Sequence, residues 1–244
     1  MQHNEYRRYL SNSNTVALFI HGILGTPNHF NSFIPLLPKR WSVCNLLLEG
    51  HGKGVGDFGE ATMADWKKQV DAEVANLSKL YDNIIIIAHS MGTLFAINLS
   101  IKYPNVRGLF LLAPPLKPIV KPPIIKSSIK LLYSDLSDDD PMKNAYSIQL
   151  EKNLFKYLSW VPNYMDLLRE IGATKKAVDK IAVPCWAFTS KHDELVLAST
   201  INYFEGNNMI RSFLLEESGH FSYSEKDYDY LIDNFKLFCV TWEL

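Results

Sequence analysis

Apolar runs and polar punctuation alternate along this chain in an order that predicts strand, turn and helix repeatedly. Residues 6–10 read as a short strand, and Ser11-Asn12-Ser13-Asn14 as a turn. Thr15–Ile20 is a buried strand that ends in His21-Gly22-Ile23-Leu24-Gly25-Thr26, followed by Pro27. A helix start at residues 30–37 is stopped by Pro38, and residues 41–48 form the next strand. Residues 49–56 are too rich in glycine for regular structure. Trp66, Val70, Val74 and Leu77 recur at helical spacing and predict a helix over 63–80. Ile84 to Ile87 are four consecutive β-branched residues, the pattern of a strand buried on both faces within a parallel sheet. A sharp turn at Ser90 must follow, because Thr93 onward reads as a helix to about Tyr103. Residues 106–113 are again a buried strand.

At Ala113-Pro114-Pro115 the alternation stops. Residues 114–180 read as mostly helical, with prolines at 114, 115, 118, 122, 123, 141 and 162 and a helix-start signal at Asp138-Asp139-Asp140-Pro141. Strands return at 181–189 and 209–215, each followed by a helix, over 197–204 and 227–240. This is β/α alternation with one interruption. It predicts an α/β fold with an open, mostly parallel sheet, helices on both faces, a core of 1–113 and 181–244, and an inserted helical cap at 114–180.

Composition narrows the chemistry. The chain has 244 residues, 47% of them apolar and 21% charged, which fits one large domain with an insertion. A net charge of -1 gives no electrostatic footprint for nucleic acid. The polar start lacks the apolar core of a signal peptide, and no apolar run is long enough to span a bilayer. Cys44, Cys185 and Cys239 each lie in an apolar element, so buried free thiols are expected, and with them a cytoplasmic setting. No pair of histidines sits at ligand spacing on a helix, so neither metal nor cofactor is expected.

In open parallel sheets, ligands bind beyond the carboxyl ends of the strands. The polar candidates gather there: His21-Gly22, Ser90, Asp193 and His220. Alone, Ser90 is most economically the N-cap of the helix after it. With a histidine after the last strand and an aspartate after the strand before it, the serine gains a base and a group to orient that base. The order Ser90, Asp193, His220 resembles that of the α/β-hydrolases, and Ala88-His89-Ser90-Met91-Gly92 resembles their Gly-x-Ser-x-Gly elbow with alanine at the first glycine. One methyl at Ala88 is a modest intrusion, and the elbow is expected to survive it. Together with Glu49-Gly50-His51-Gly52, Lys191-His192-Asp193-Glu194 and Ser218-Gly219-His220, the chain looks like the bacterial carboxylesterase and monoacylglycerol lipase branch of that superfamily.

The resemblance implies Ser90 as nucleophile, His220 as base, Asp193 as the acid that orients it, and the backbone N–H groups of Ile23 and Met91 as an oxyanion hole. Glu194 is the rival acid. His192 is expected to shape its turn, His89 to wall the pocket, His21 and His51 to bond to backbone, and His29 to lie at the surface or at a helix start. A dehalogenase-type aspartate nucleophile is excluded, since position 90 is serine. The implied activity is hydrolysis of small to medium carboxylic esters through an acyl-enzyme. Thioester or amide hydrolysis on the same machinery, and a non-catalytic ligand receptor on the same fold, are the alternatives. In the cap, Ile119, Val120, Ile124, Ile125, Ile129, Leu131 and Leu132 alternate with Lys117, Lys121, Lys126 and Lys130. This predicts a lid helix with a solvated face, or one that meets anionic lipid. Phe155, Tyr157, Trp160 and Tyr164 are expected to form the cap core.

Overall fold

The computed structural model of the chain describes residues 3–120 and 147–242. The lysine-rich run of the expected lid from Lys121 onward, and the Asp138 to Pro141 signal, lie outside the described residues. Among the described residues, seven strands form one sheet: β1 (Tyr6–Arg8), β2 (Thr15–Ile20), β3 (Ser42–Asn45), β4 (Asn83–His89), β5 (Val106–Leu112), β6 (Cys185–Ser190) and β7 (Ile210–Leu215). Their order is β1-β3-β2-β4-β5-β6-β7. Among these seven strands, β1 runs antiparallel to its neighbour and the other pairings are parallel.

The four isoleucines of β4 explain the layering. Successive side chains of a strand point to opposite faces. Ile84 and Ile86 join a core with Trp66, Val70, Val74 and Phe95, while Ile85 and Ile87 join a second core with Phe110, Leu231, Phe235 and Phe238. All four are fully buried, and burying each contributes about 1.5–3 kcal/mol. β4 therefore has apolar layers on both sides and sits between β2 and β5.

On the first face lie α1 (Val55–Glu60), α2 (Met63–Leu77), α3 (Met91–Lys102) and α4 (Val161–Lys175). The second face is covered by α5 (Glu225–Val240) and by residues around Phe30 and Phe33. α2 begins where Thr62 and Asp65 satisfy each other's backbone N–H groups, at 3.2 and 3.0 Å.

The expectations failed in three places. The glycine-rich stretch at 49–56 is a loop only as far as Gly54, where α1 begins. A Cβ on Gly59 would lie 2.1 Å from Ser159 Oγ, so this glycine lets α1 approach the 3₁₀ stretch Leu154–Trp160. The helices expected at 30–37 and 197–204 are 3₁₀ turns instead, at Pro27–Phe30, Ile34–Leu36 and Ala198–Tyr203. Pro35 would fall inside an α-helix over 30–37, where it has no N–H to give the turn before it. The aromatic set does not form one core. Trp160 is buried, with its Nε1–H on the Val55 carbonyl at 2.9 Å, but Phe155 is 82% exposed and Tyr164 39%.

All three cysteines are buried and free. No helix among the described residues is long and apolar enough to cross a membrane.

Candidate active site

Parallel register brings the strand ends abreast. Ile20, Ala88 and Leu111 are neighbours across β2, β4 and β5, so the residues that follow meet at one rim. Ser90 leaves β4 with φ 51° and ψ -123°, a positive φ that a non-glycine residue rarely adopts. Its side chain makes no capping bond to α3. Ser90 thus occupies the N-cap position of α3, but its hydroxyl does not cap the helix and points elsewhere. Ala88 is accommodated without exposure and the elbow forms. Gly92 is the glycine the turn cannot give up, since a Cβ there would lie 2.3 Å from the Ile20 carbonyl oxygen and 2.8 Å from that of His21.

Ser90 Oγ lies 3.1 Å from His220 Nε2, and His220 Nδ1 lies 2.8 Å from Asp193 Oδ2. With the imidazole proton on Nδ1, facing the carboxylate, Nε2 accepts from the serine hydroxyl. Asp193 Oδ1 accepts the backbone N–H groups of Leu195 and Val196 at 2.7 and 2.8 Å. Asp193 and His220 are buried, and Ser90 is 7% exposed. Glu194, the rival acid, does not face the ring: its Oε2 accepts the backbone N–H of His220 at 3.0 Å.

Met91 is the first residue of α3, where a helix leaves its amides without internal partners. The loop that carries Ile23 abuts the serine: a Cβ on Gly22 would lie 2.7 Å from Ser90 Cβ. Leu24 has φ 57°, and its carbonyl accepts Ser147 N–H at 2.9 Å and Ser147 Oγ–H at 3.3 Å. Ser147 lies within the connection between β5 and β6, which runs on through α4 before β6 begins. The departing end of that connection is held too: Ile119 N–H donates to the Leu195 carbonyl at 2.8 Å, and Leu197 N–H to the Lys117 carbonyl at 2.9 Å.

Four more histidines surround this rim. His21 receives the Leu48 N–H on Nε2 at 3.1 Å and donates from Nδ1 to the Gly22 carbonyl at 2.9 Å, which ties the loop after β2 to the chain after β3. His51 donates from Nδ1 to the Glu49 carbonyl at 3.2 Å, as backbone bonding predicts. His89 donates from Nε2 to the His220 carbonyl at 3.1 Å. His29 lies in the 3₁₀ turn Pro27–Phe30, a helix start as expected, and its ring also stands 5.5 Å from that of His89; both line a cavity of about 170 Å³ with Ser32, His220, Phe221 and Tyr223. That this turn brings His29 to the rim is what the sequence did not mark. His192 has an exposed side chain, and its N–H donates to the Ser218 carbonyl at 3.1 Å.

Burial holds His21 and His89 well below the ordinary imidazole range, with neighbouring histidines adding to the effect, and burial pushes His51 down to about 4. The unfolded chain binds these protons near pH 6.5 and the folded chain does not, so stability falls with acidification. His51 alone should cost on the order of 3 kcal/mol between pH 6.5 and 4. Urea midpoints are expected to be flat above pH 7 and to drop steadily below about 6.5. A midpoint unchanged at pH 5 would contradict the neutral, buried assignment of these rings.

Residues 11–208 match the family described as Serine aminopeptidase, S33 (Hydrolase_4). The thermostable monoacylglycerol lipase of Bacillus sp. (strain H-257) is 24% identical over 233 residues, covering 91% of this chain and 88% of its own. Among solved structures, a metagenome-derived lipolytic enzyme superposes with a TM-score of 0.75 at 16% identity, covering 98% of both chains. The monoacylglycerol lipase of Paleococcus ferrophilus does so at 0.65 and 15%, covering 97% of this chain and 99% of that one. At these identities the structures speak for the fold, an α/β-hydrolase sheet with flanking helices. The family match spans most of the sequence, and the chain belongs to the α/β-hydrolase family described as Serine aminopeptidase, S33, related to bacterial monoacylglycerol lipases and carboxylesterases.

Proposed function

We propose that this chain hydrolyses carboxylic esters of small to medium acyl length through a Ser90 acyl-enzyme. The observation that carries the reading is the unbroken line from the strained Ser90 through His220 to Asp193, at 3.1 and 2.8 Å. Ser90 Oγ attacks the ester carbonyl carbon while His220 Nε2 takes its proton. The amides of Ile23 and Met91 receive the charge that forms on the carbonyl oxygen; losing one such donor typically costs ~10²–10³ in turnover. His220 then returns the proton to the leaving alcohol, and the acyl group stays on Ser90. Water attacks the acyl carbon next, with His220 again taking the proton; the acyl–Oγ bond then breaks, His220 returns the proton to Ser90 Oγ, and the acid is released. Asp193 holds the imidazole tautomer and stabilises the imidazolium throughout. Residues 114–180 serve as a cap that sets acyl choice, and no cofactor takes part.

A fluorophosphonate probe is expected to label the wild type on Ser90, and nitrophenyl esters to turn over. A series from acetyl to palmitoyl should peak at short to medium chains. Folded wild type that resists the probe would overturn the reading. Labelling without multiple turnover would favour a ligand receptor. The family's description names an aminopeptidase, so an aminoacyl nitroanilide belongs beside the esters; faster turnover of the anilide would move the substrate class to amides.

A further inference from the structure

We infer that His89 and Glu194 are positioning residues that together fix the backbone of His220. This rests on the proposed role of His220 as the base. The N–H of residue 220 belongs to the plane shared with Gly219, and its carbonyl to the plane shared with Phe221. Holding both planes fixes φ and ψ at 220, and with them the direction in which Cβ carries the ring. His220 lies between β7 and α5, outside both elements, so neither a sheet ladder nor a helix does this for it.

Two side chains do. Glu194 Oε2 accepts the His220 N–H at 3.0 Å, and His89 Nε2–H donates to the His220 carbonyl at 3.1 Å. The His89 ring also stands against the His220 ring, with centroids 4.9 Å apart. Gly219 leaves room for the first grip, since a Cβ there would lie 2.9 and 3.0 Å from the two Glu194 carboxylate oxygens. Each grip comes from the sequence neighbour of another member of the line. His89 precedes Ser90, and Glu194 follows Asp193. A shift at the end of β4 carries nucleophile and carbonyl anchor together, and a shift of the acid loop carries carboxylate and amide anchor together. The ring therefore stays in register with both partners. A displacement of about 1 Å at such a centre can cost about 10²-fold in rate.

The test separates acceptor from charge, and placement from binding. Glu194→Ala removes the acceptor, and Glu194→Asp draws it back by one methylene. Both should lower kcat about tenfold to a hundredfold, with KM within about twofold. Glu194→Gln keeps an acceptor oxygen and should retain turnover within about threefold of wild type. At the other grip, His89→Phe should lower kcat in the same way, and His89→Gln, which keeps a donor, should recover most of it. Probe labelling rates of the folded variants should fall in step with kcat. Wild-type kcat in folded Glu194→Asp, losses confined to KM, or failure of Glu194→Gln to rescue would each overturn the inference. Should Glu194→Ala or His89→Phe fail to fold, Glu194→Asp against Glu194→Gln decides. Wild type that neither labels nor turns over would instead remove the hydrolase reading itself, a result distinct from active wild type with indifferent variants.

Discussion

Alanine at position 90 is expected to lower ester turnover about 10⁶-fold while leaving the protein folded. Removing the nucleophile of a serine hydrolase has an effect of that order, because base and acid have nothing left to activate. A residual ~10³–10⁴ over water should persist, since backbone oxyanion donors and substrate binding are untouched. Stability should move by less than about 1 kcal/mol. Ser90 Oγ bonds to His220 Nε2 and caps no helix, so α3 does not depend on it. Turnover of a nitrophenyl ester and a thermal melt, run on the same preparation, check both halves. A drop smaller than tenfold would place the nucleophile elsewhere.

Asparagine at position 193 should be the next most damaging, at about 10⁴-fold in kcat. Asp193 uses both oxygens: Oδ1 takes the Leu195 and Val196 N–H groups, and Oδ2 faces His220 Nδ1. Asparagine can keep the first set only by turning its NH₂ toward the ring. The imidazole proton must then move to Nε2, which can no longer accept from Ser90 Oγ. Folding should survive, because the loop keeps its acceptor. Glu194→Gln should stay within about threefold, since Glu194 accepts the backbone amide of His220 and Gln keeps an acceptor oxygen. If the two results were exchanged, the acid would be Glu194.

Much of this arrangement was legible because it rests on local signals. The β-branched run at Ile84 to Ile87 announces a strand buried on both faces, and strand ends in a parallel sheet share a rim, so Ser90, Asp193 and His220 could be brought together by order alone. What stayed hidden depends on contacts distant in sequence. Gly56 and Gly59 disguised α1, since the reason for a glycine at 59 is Ser159, a hundred residues away. The inward turn of His29 depends on a short 3₁₀ turn that no periodicity marks. The exposure of Phe155 could not be read from an aromatic cluster, because composition does not say which ring faces Phe58 and which faces water. That Glu194 serves the backbone of His220 while Asp193 serves the ring is a matter of loop path, and adjacent carboxylates look alike in a sequence.

Two attachment points of the connection between β5 and β6 bear on how substrate scope can be engineered. Its departing end is sewn to Leu195 and Leu197, in the loop whose amides hold Asp193, and Ser147, midway along it, to Leu24, next to Ile23. A graft of this region from a relative that replaced these attachment points would disturb the proposed acid and the proposed oxyanion donor at once, and would be scored as a loss of chemistry. Chimeras cut inside Ile119 and Ser147 keep both seams with the recipient. Any change in acyl preference they show would then belong to the transplanted segment.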